Sequence, residues 1–188
     1  MSILKLARMG HPVLRQMAAT VEDPTAPEIR ALVDDMIETM EDAGGTGLAA
    51  PQVHVSLRVM VFRVGAERLT GLPGDEPVGL TVLVNPEWQA LDDEMNLDWE
   101  GCLSVPGLRG AVPRYSRLRY AGYDLAGNWL EREVAGFHAR VVQHEGDHLE
   151  GVLYPQRMTD LSLLTFIEEG RRWPIDLVAY AASQEQQG

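Results

Sequence analysis

Gln143-His144-Glu145-Gly146-Asp147-His148 is the stretch on which the reading of this chain turns. It contains H-E-x-x-H, two histidines at i and i+4. On a helix that spacing puts both on one face, a turn apart, where they can reach one metal ion. The surrounding residues predict such a helix from about Phe137 to Leu149, closed by Gly151. Phe137 and Val141 fall on the same stripe, so the histidines face an apolar interior. Glu145 is placed to handle the protons of a water rather than to ligate. Gly146 costs about 1 kcal/mol against alanine in a helix interior, which predicts crowding at that position.

Two imidazoles need a third ligand. The zinc-peptidase patterns can be tested directly. Where one would demand a histidine, three residues after Gly151, Tyr154 stands instead. Another takes a glutamate from a later helix, and Glu168 and Glu169 are available. Cys102, the single thiol of the chain, is a third candidate. A thiolate with two imidazoles makes a borderline-soft site suited to zinc or iron, and three protein ligands leave a position open for water.

Upstream, Ile29, Leu32, Val33, Met36, Ile37 and Met40 recur with a period of 3.6 and predict a helix. Thr25 and Glu28 have the spacing of a capping box, and Gly44-Gly45 ends the run. Leu57 to Val64 and Val78 to Val84 read as strands, with a surface loop from Gly65 to Pro77 between them. Trp88 to Leu91 reads as a short separate strand, and Trp99 to Gly107 as a strand end or tight loop. Leu118 to Asp124 and Trp129 to Val134 flank a hairpin turn. A further helix is expected from Thr159-Asp160 to Arg172, and a frayed polar tail from Ser183 to Gly188. With no regular βα alternation, this order predicts an α+β fold, mainly antiparallel sheets around the helix carrying H-E-x-x-H. One domain over 1–188 is expected, with 156–188 as a C-terminal helical extension.

The 188 residues carry 16 Lys plus Arg against 28 Asp plus Glu, a formal charge of −12. That balance argues against general nucleic-acid binding, which depends on basic side chains displacing counterions. No run approaches the roughly 18 apolar residues of a membrane span. The N-terminus lacks the apolar core of a signal peptide, and a single cysteine forms no internal disulfide. A cytoplasmic location is expected, in the bacterial cytosol rather than an organelle.

Three segments, in order and widely spaced, resemble the peptide deformylases. Gly45-Thr46-Gly47-Leu48-Ala49-Ala50-Pro51-Gln52 is similar to their G-x-G-L-A-A-x-Q. Glu100-Gly101-Cys102-Leu103-Ser104 is similar to their E-G-C-L-S, and Gln143 to His148 to their Q-H-E-x-D-H. The resemblance runs from about Leu4 to Pro155. It implies a hydrolase that removes the formyl group from the formyl-methionine of nascent polypeptides, releasing formate. It further implies one divalent metal on Cys102, His144 and His148, Fe(II) by expectation, with Ni, Co or Zn able to substitute. Glu145 then moves the proton, and the Gln52 amide and Leu103 N–H steady the oxyanion.

By the same resemblance Gly45, Thr46, Gly47 and Gly101 border the bound peptide and pair with its backbone. Phe137 and Val141 line the methionine pocket, the stem of Arg140 closes it, and Arg109 contacts the next residue. Glu100 and Arg114 pair to brace the cysteine loop. The partners implied are formylated nascent peptides and a transient ribosome contact, for which Arg171-Arg172 is the local candidate. His11, His54 and His138 match no ligand spacing and read as structural. Two rivals stay open: an endopeptidase using Glu168 or Glu169, and a module that only binds formylated peptides.

Overall fold

The computed structural model describes residues 2–185, and the expected tail lies in part outside them. Helix α1 (Pro27–Asp42) turns Ile29, Val33, Met36 and Met40 into the core, as the 3.6-residue stripe requires. Its expected capping box does not form. Ala26 holds the cap position with no side-chain bond, while the Thr25 hydroxyl donates backwards to Asp23 at 2.7 Å. Thr25 is thus consumed in a local turn before the helix begins.

Five strands form the larger sheet: β1 (Gly47–Ala49), β2 (Val59–Val64), β3 (Val78–Ala90), β6 (Arg117–Tyr123) and β7 (Trp129–Ala135), in the order β1-β2-β3-β6-β7. A second sheet holds β4 (Met95–Cys102), β5 (Val105–Tyr115) and β8 (Thr165–Phe166), in the order β4-β5-β8. Every pairing within the two sheets is antiparallel. The fold is α+β.

Trp88 to Ala90 is not a separate strand. It continues β3, which bends between Val84 and Glu87 and so passes from pairing with β2 to pairing with β6. A register shift of this kind redirects one strand without ending it. Trp99 to Gly107 is strand end and tight turn together, as expected. It holds the ends of β4 and β5, joined by the tight turn Leu103-Ser104.

Helix α2 (Gly136–Leu149) packs against β1, β2, β3, β5, β6 and β7. Twelve of its fourteen residues are buried. Gly151, at φ +72°, ends it against the backbone of Arg15 and Gln16, where a Cβ would come within 2.7 Å. The helix expected from Thr159 to Arg172 is broken into three: a 3-10 turn at Leu161–Leu163, strand β8, and the short helix α3 (Ile167–Arg172). Pairing of Thr165 and Phe166 with β5 competes with helix there and wins. A final helix, α4, spans Leu177–Glu185.

Candidate metal centre

Two elements distant in sequence build the centre. Helix α2 presents His144 and His148 from successive turns, with rings edge-to-face at 5.0 Å between centroids. The last residue of β4 brings Cys102 to them. The thiol sulfur and the two ring nitrogens lie within 4.8 Å of one another, with Cys102 Sγ 3.4 Å from His148 Nε2. Glu168 and Glu169, the alternative third ligands, are exposed on α3 outside this cluster.

Burial disfavours a thiolate, but His148 and His144 outweigh it and hold the Cys102 thiol well below its ordinary pKa. Thiolate and imidazole are the forms that ligate. His144 Nδ1 lies 2.8 Å from Glu100 Oε2, which fixes the ring and leaves Nε2 for the centre. The donor set suits a divalent borderline metal. One carboxylate oxygen of Glu145, Oε2, is buried beside it without a partner, an unmet need that an ion and its water would answer. Burial raises the pKa of Glu145, against the pull of both histidines.

Gly47 makes room for that carboxylate. A Cβ at Gly47 would come within 2.4 Å of Glu145 Oε1, so the strand can run here only as glycine. Gly146, on the other side of α2, is crowded as expected: a Cβ there would lie 3.0 Å from Trp88 Nε1.

Behind the centre lies a buried ion network. Arg114 grips Glu100 with two bonds, Nε to Oε1 at 2.8 Å and Nη2 to Oε2 at 3.0 Å. Its third nitrogen, Nη1, donates to Asp147 at 2.6 Å, and Asp147 also accepts two bonds from Arg157. Burial alone would raise the Glu100 pKa, yet His144 and Arg114 hold it far below the carboxylate range. The expected Glu100–Arg114 pair is therefore present. Asp147 and Arg157 were missed by the sequence reading, although the H-E-x-x-H motif itself contains Asp147.

Gln52 is buried. Its side-chain oxygen accepts from Ala49 N at 2.9 Å, and its Nε2 donates to Cys102 Sγ at 3.4 Å and to Ser104 Oγ at 3.2 Å. A cavity of about 1100 Å³ opens beside the centre. Gly45, Thr46, Gly47, Gly101, Leu103, Phe137, Arg140 and Val141 all line it.

Arg140 reaches the cavity only by its stem. Its guanidinium turns inward and donates to Glu100 at 2.9 Å, Val112 O at 2.8 Å and Asn96 O at 2.7 Å. Arg109 is not among the lining residues. Its guanidinium carbon lies 4.4 Å from the Trp99 ring centroid, and Nη2 donates to Gly170 O at 2.9 Å. The C-terminal segment occupies it. His138 is buried against Phe62 and Tyr120, and burial lowers its pKa to about 4. His11 and His54 form an edge-to-face pair at 4.6 Å.

A thiolate and two imidazoles from one H-E-x-x-H helix, set in an α+β frame beside a deep cleft, define a class: the mononuclear metallohydrolases. Comparison narrows it. Residues 3–163 match the family described as polypeptide deformylase. The chain is 55% identical over 163 residues to peptide deformylase 1 of Bordetella pertussis, covering 87% of this chain and 92% of that one. It is 54% identical over 159 residues to peptide deformylase 1 of Nitrosomonas europaea, covering 85% and 89%. The solved peptide deformylase of Ehrlichia chaffeensis in complex with actinonin is similar with a TM-score of 0.79 and 35% identity, covering 86% of this chain and 92% of that one. The chain belongs to the peptide deformylase family, metal-dependent hydrolases that remove the N-formyl group from nascent peptides.

Proposed function

We propose that Cys102, His144 and His148 hold the catalytic metal and that Glu145 moves the proton in formamide hydrolysis. The observation that carries this is the partnerless Glu145 oxygen buried beside a thiol and two imidazoles within 4.8 Å of one another. When bound, the metal supplies a Lewis acid and an acidified water. Glu145 takes the proton from the attacking water and passes it to the departing amine. The Gln52 side-chain amide and the Leu103 N–H steady the negative oxygen, both held in advance by their neighbours. Fe(II) is our reading of the native metal, with Ni, Co or Zn accepted by the same donors.

Two open sheet edges support the reading of how the substrate is held. Strand β1 ends the larger sheet and β4 ends the smaller one, and both border the cavity through Gly47 and Gly101. An extended peptide can pair with Gly45, Thr46 and Gly47 on one side and Gly101 on the other, through backbone groups alone. The methionine side chain lies against Phe137 and Val141, both buried at the cavity wall, with the Arg140 stem beside them. Arg109, set against the Trp99 ring and bonded to Gly170 O, is in this reading the side chain that meets the residue after the methionine.

Residues 1–188 act as one catalytic unit, with 156–188 as its C-terminal extension. The bonds from Arg157 to Asp147 and the pairing of β8 with β5 tie that extension on. The substrates are formylated nascent peptides in a bacterial cytosol, met in transient contact with the ribosome. In keeping with this, no helix among the described residues is long and apolar enough to cross a membrane.

The test is direct. Protein handled anaerobically and loaded with Fe(II) is given formyl-Met-Ala-Ser and longer internal peptides. Formate release without internal cleavage is expected, and Cys102→Ser should lose metal and activity together. Internal cleavage without formate would establish an endopeptidase. Binding without either product would leave only a peptide-binding module.

A further inference from the structure

The loop from Gly65 to Pro77 reads in sequence as mere surface connection, yet it is tied to the start of α2 at several points. Asp75 Oδ2 accepts from Thr70 N and Thr70 Oγ1, each at 2.6 Å, and from Phe137 N at 3.3 Å. Asp75 Oδ1 accepts from His138 N at 3.4 Å. Ala135 N donates to Gly74 O at 3.1 Å, and Leu69 packs into the same core cluster as Phe137. Gly136, at φ +56°, leaves the space: a Cβ would come within 2.3 Å of Asp75 Oδ2 and Thr70 Oγ1.

This anchorage delivers Arg68 to the mouth of the cavity. Its guanidinium carbon lies 4.4 Å from the centroid of the Phe137 ring, and the side chain is exposed on its outer face. Arg68 lines the cavity together with Phe137, Val141 and His144. Arg140, which lines the same cavity, spends its charge on Glu100 and two carbonyls. Arg68 thus sets a cation over the apolar side of the slot formed by Phe137 and Val141.

We propose that Arg68 is a specificity-determining residue, the outer wall of the pocket that receives the first side chain of the substrate. The inference rests on the deformylase reading of the same cleft. A guanidinium set over the Phe137 ring extends the apolar slot along its stem, which suits a long unbranched side chain. Its charge repels a first side chain that is itself cationic.

The experiment measures formate release by Arg68→Ala and Arg68→Lys against formyl-Met-Ala-Ser, formyl-norleucyl-Ala-Ser and formyl-Lys-Ala-Ser. Arg68→Ala should raise KM for the first two by about two- to fivefold, the factor that an exposed cation–aromatic contact carries. Its kcat should move by less than about twofold, because Arg68 touches no group assigned to the chemistry. Discrimination against formyl-Lys should relax by on the order of tenfold in Arg68→Ala, as a like charge is removed. Arg68→Lys should restore that discrimination but not the KM.

Unchanged selectivity in both variants would overturn the proposal. So would a fall in kcat accompanied by a lower Tm, which would mark Arg68 as structural. A wild-type protein that releases no formate from any of these peptides would instead defeat the functional reading beneath.

Discussion

The two long helices are both core elements, but they are buried by opposite means. Helix α1 hides one apolar stripe and leaves its other face to water, so hydrophobic burial chiefly holds it, with Thr39 its one buried polar side chain, accepting from Leu4 N at 2.8 Å. Helix α2 is buried nearly all round, and Arg140, Gln143, Glu145, Asp147 and His148 are among its buried residues. Each such group needs a partner, and these come from far along the chain. Glu100 and Arg114 of the smaller sheet meet His144, Arg140 and Asp147, and the backbone of Tyr115 meets Gln143 with two bonds. Three buried side-chain atoms of this helix keep no partner, the ring nitrogens His138 Nε2 and His148 Nδ1 and the carboxylate oxygen Glu145 Oε2. The difference teaches where the chemistry is stored. A stripe of apolar side chains specifies position, whereas a helix of mostly satisfied polar groups sets apart the few left unsatisfied, and of these Glu145 Oε2 is the only carboxylate oxygen.

The comparison is broken most severely at Glu145. Glu145→Ala should lower kcat by about 10²–10⁴-fold, the range for a positioned acid–base group, while metal content by elemental analysis stays near one per chain. Retention of full turnover would show that the carboxylate is a spectator. Glu100→Ala comes next, because it strands Arg114 and Arg140 in the interior. A loss of about 3–5 kcal/mol is expected for breaking a buried pair, measured by denaturant unfolding, together with weaker metal retention. Unchanged stability and metal content would remove the bracing role.

The same scale applied to α1 gives a different signature. Met36→Ala should cost about 2–5 kcal/mol through the void it leaves, with kcat per folded molecule unaltered. Smallest of all is Thr25→Ala. A true helix cap would cost about 0.5–2 kcal/mol, but Thr25 bonds only to Asp23, so a change of a few tenths is expected. A loss above about 1 kcal/mol would show that a cap forms in solution after all.

How much of this was legible in sequence follows from the same contrast. The stripe of α1, the hairpin of β6 and β7 and the extent of α2 are local patterns, and they read correctly. Cys102 was visible as a candidate ligand only because it is the single thiol and stands in E-G-C-L-S. The continuation of β3 through Trp88 was not visible, because a bend that changes pairing partners leaves no periodic mark. The segment from Thr159 to Arg172 misled for a related reason. Its residues suit a helix, and only the neighbouring edge of β5 makes Thr165 and Phe166 a strand. The loop bearing Arg68 and Asp75 looked like plain surface because its partners stand about sixty residues away.

That last separation bears on how the molecule comes into being. The first residue position before α2, Ala135, offers no side-chain bond to the free N–H groups of the helix. They are met by Asp75, 62 residues upstream of Phe137. A peptide bearing H-E-x-x-H alone would lack that cap, the thiol and the carboxylate that orients His144. The histidine helix is therefore not a metal finger that folds around its ion, as small zinc modules do. The donor cage is a product of the tertiary fold, and bringing such distant parts of a chain together is a slow kind of event.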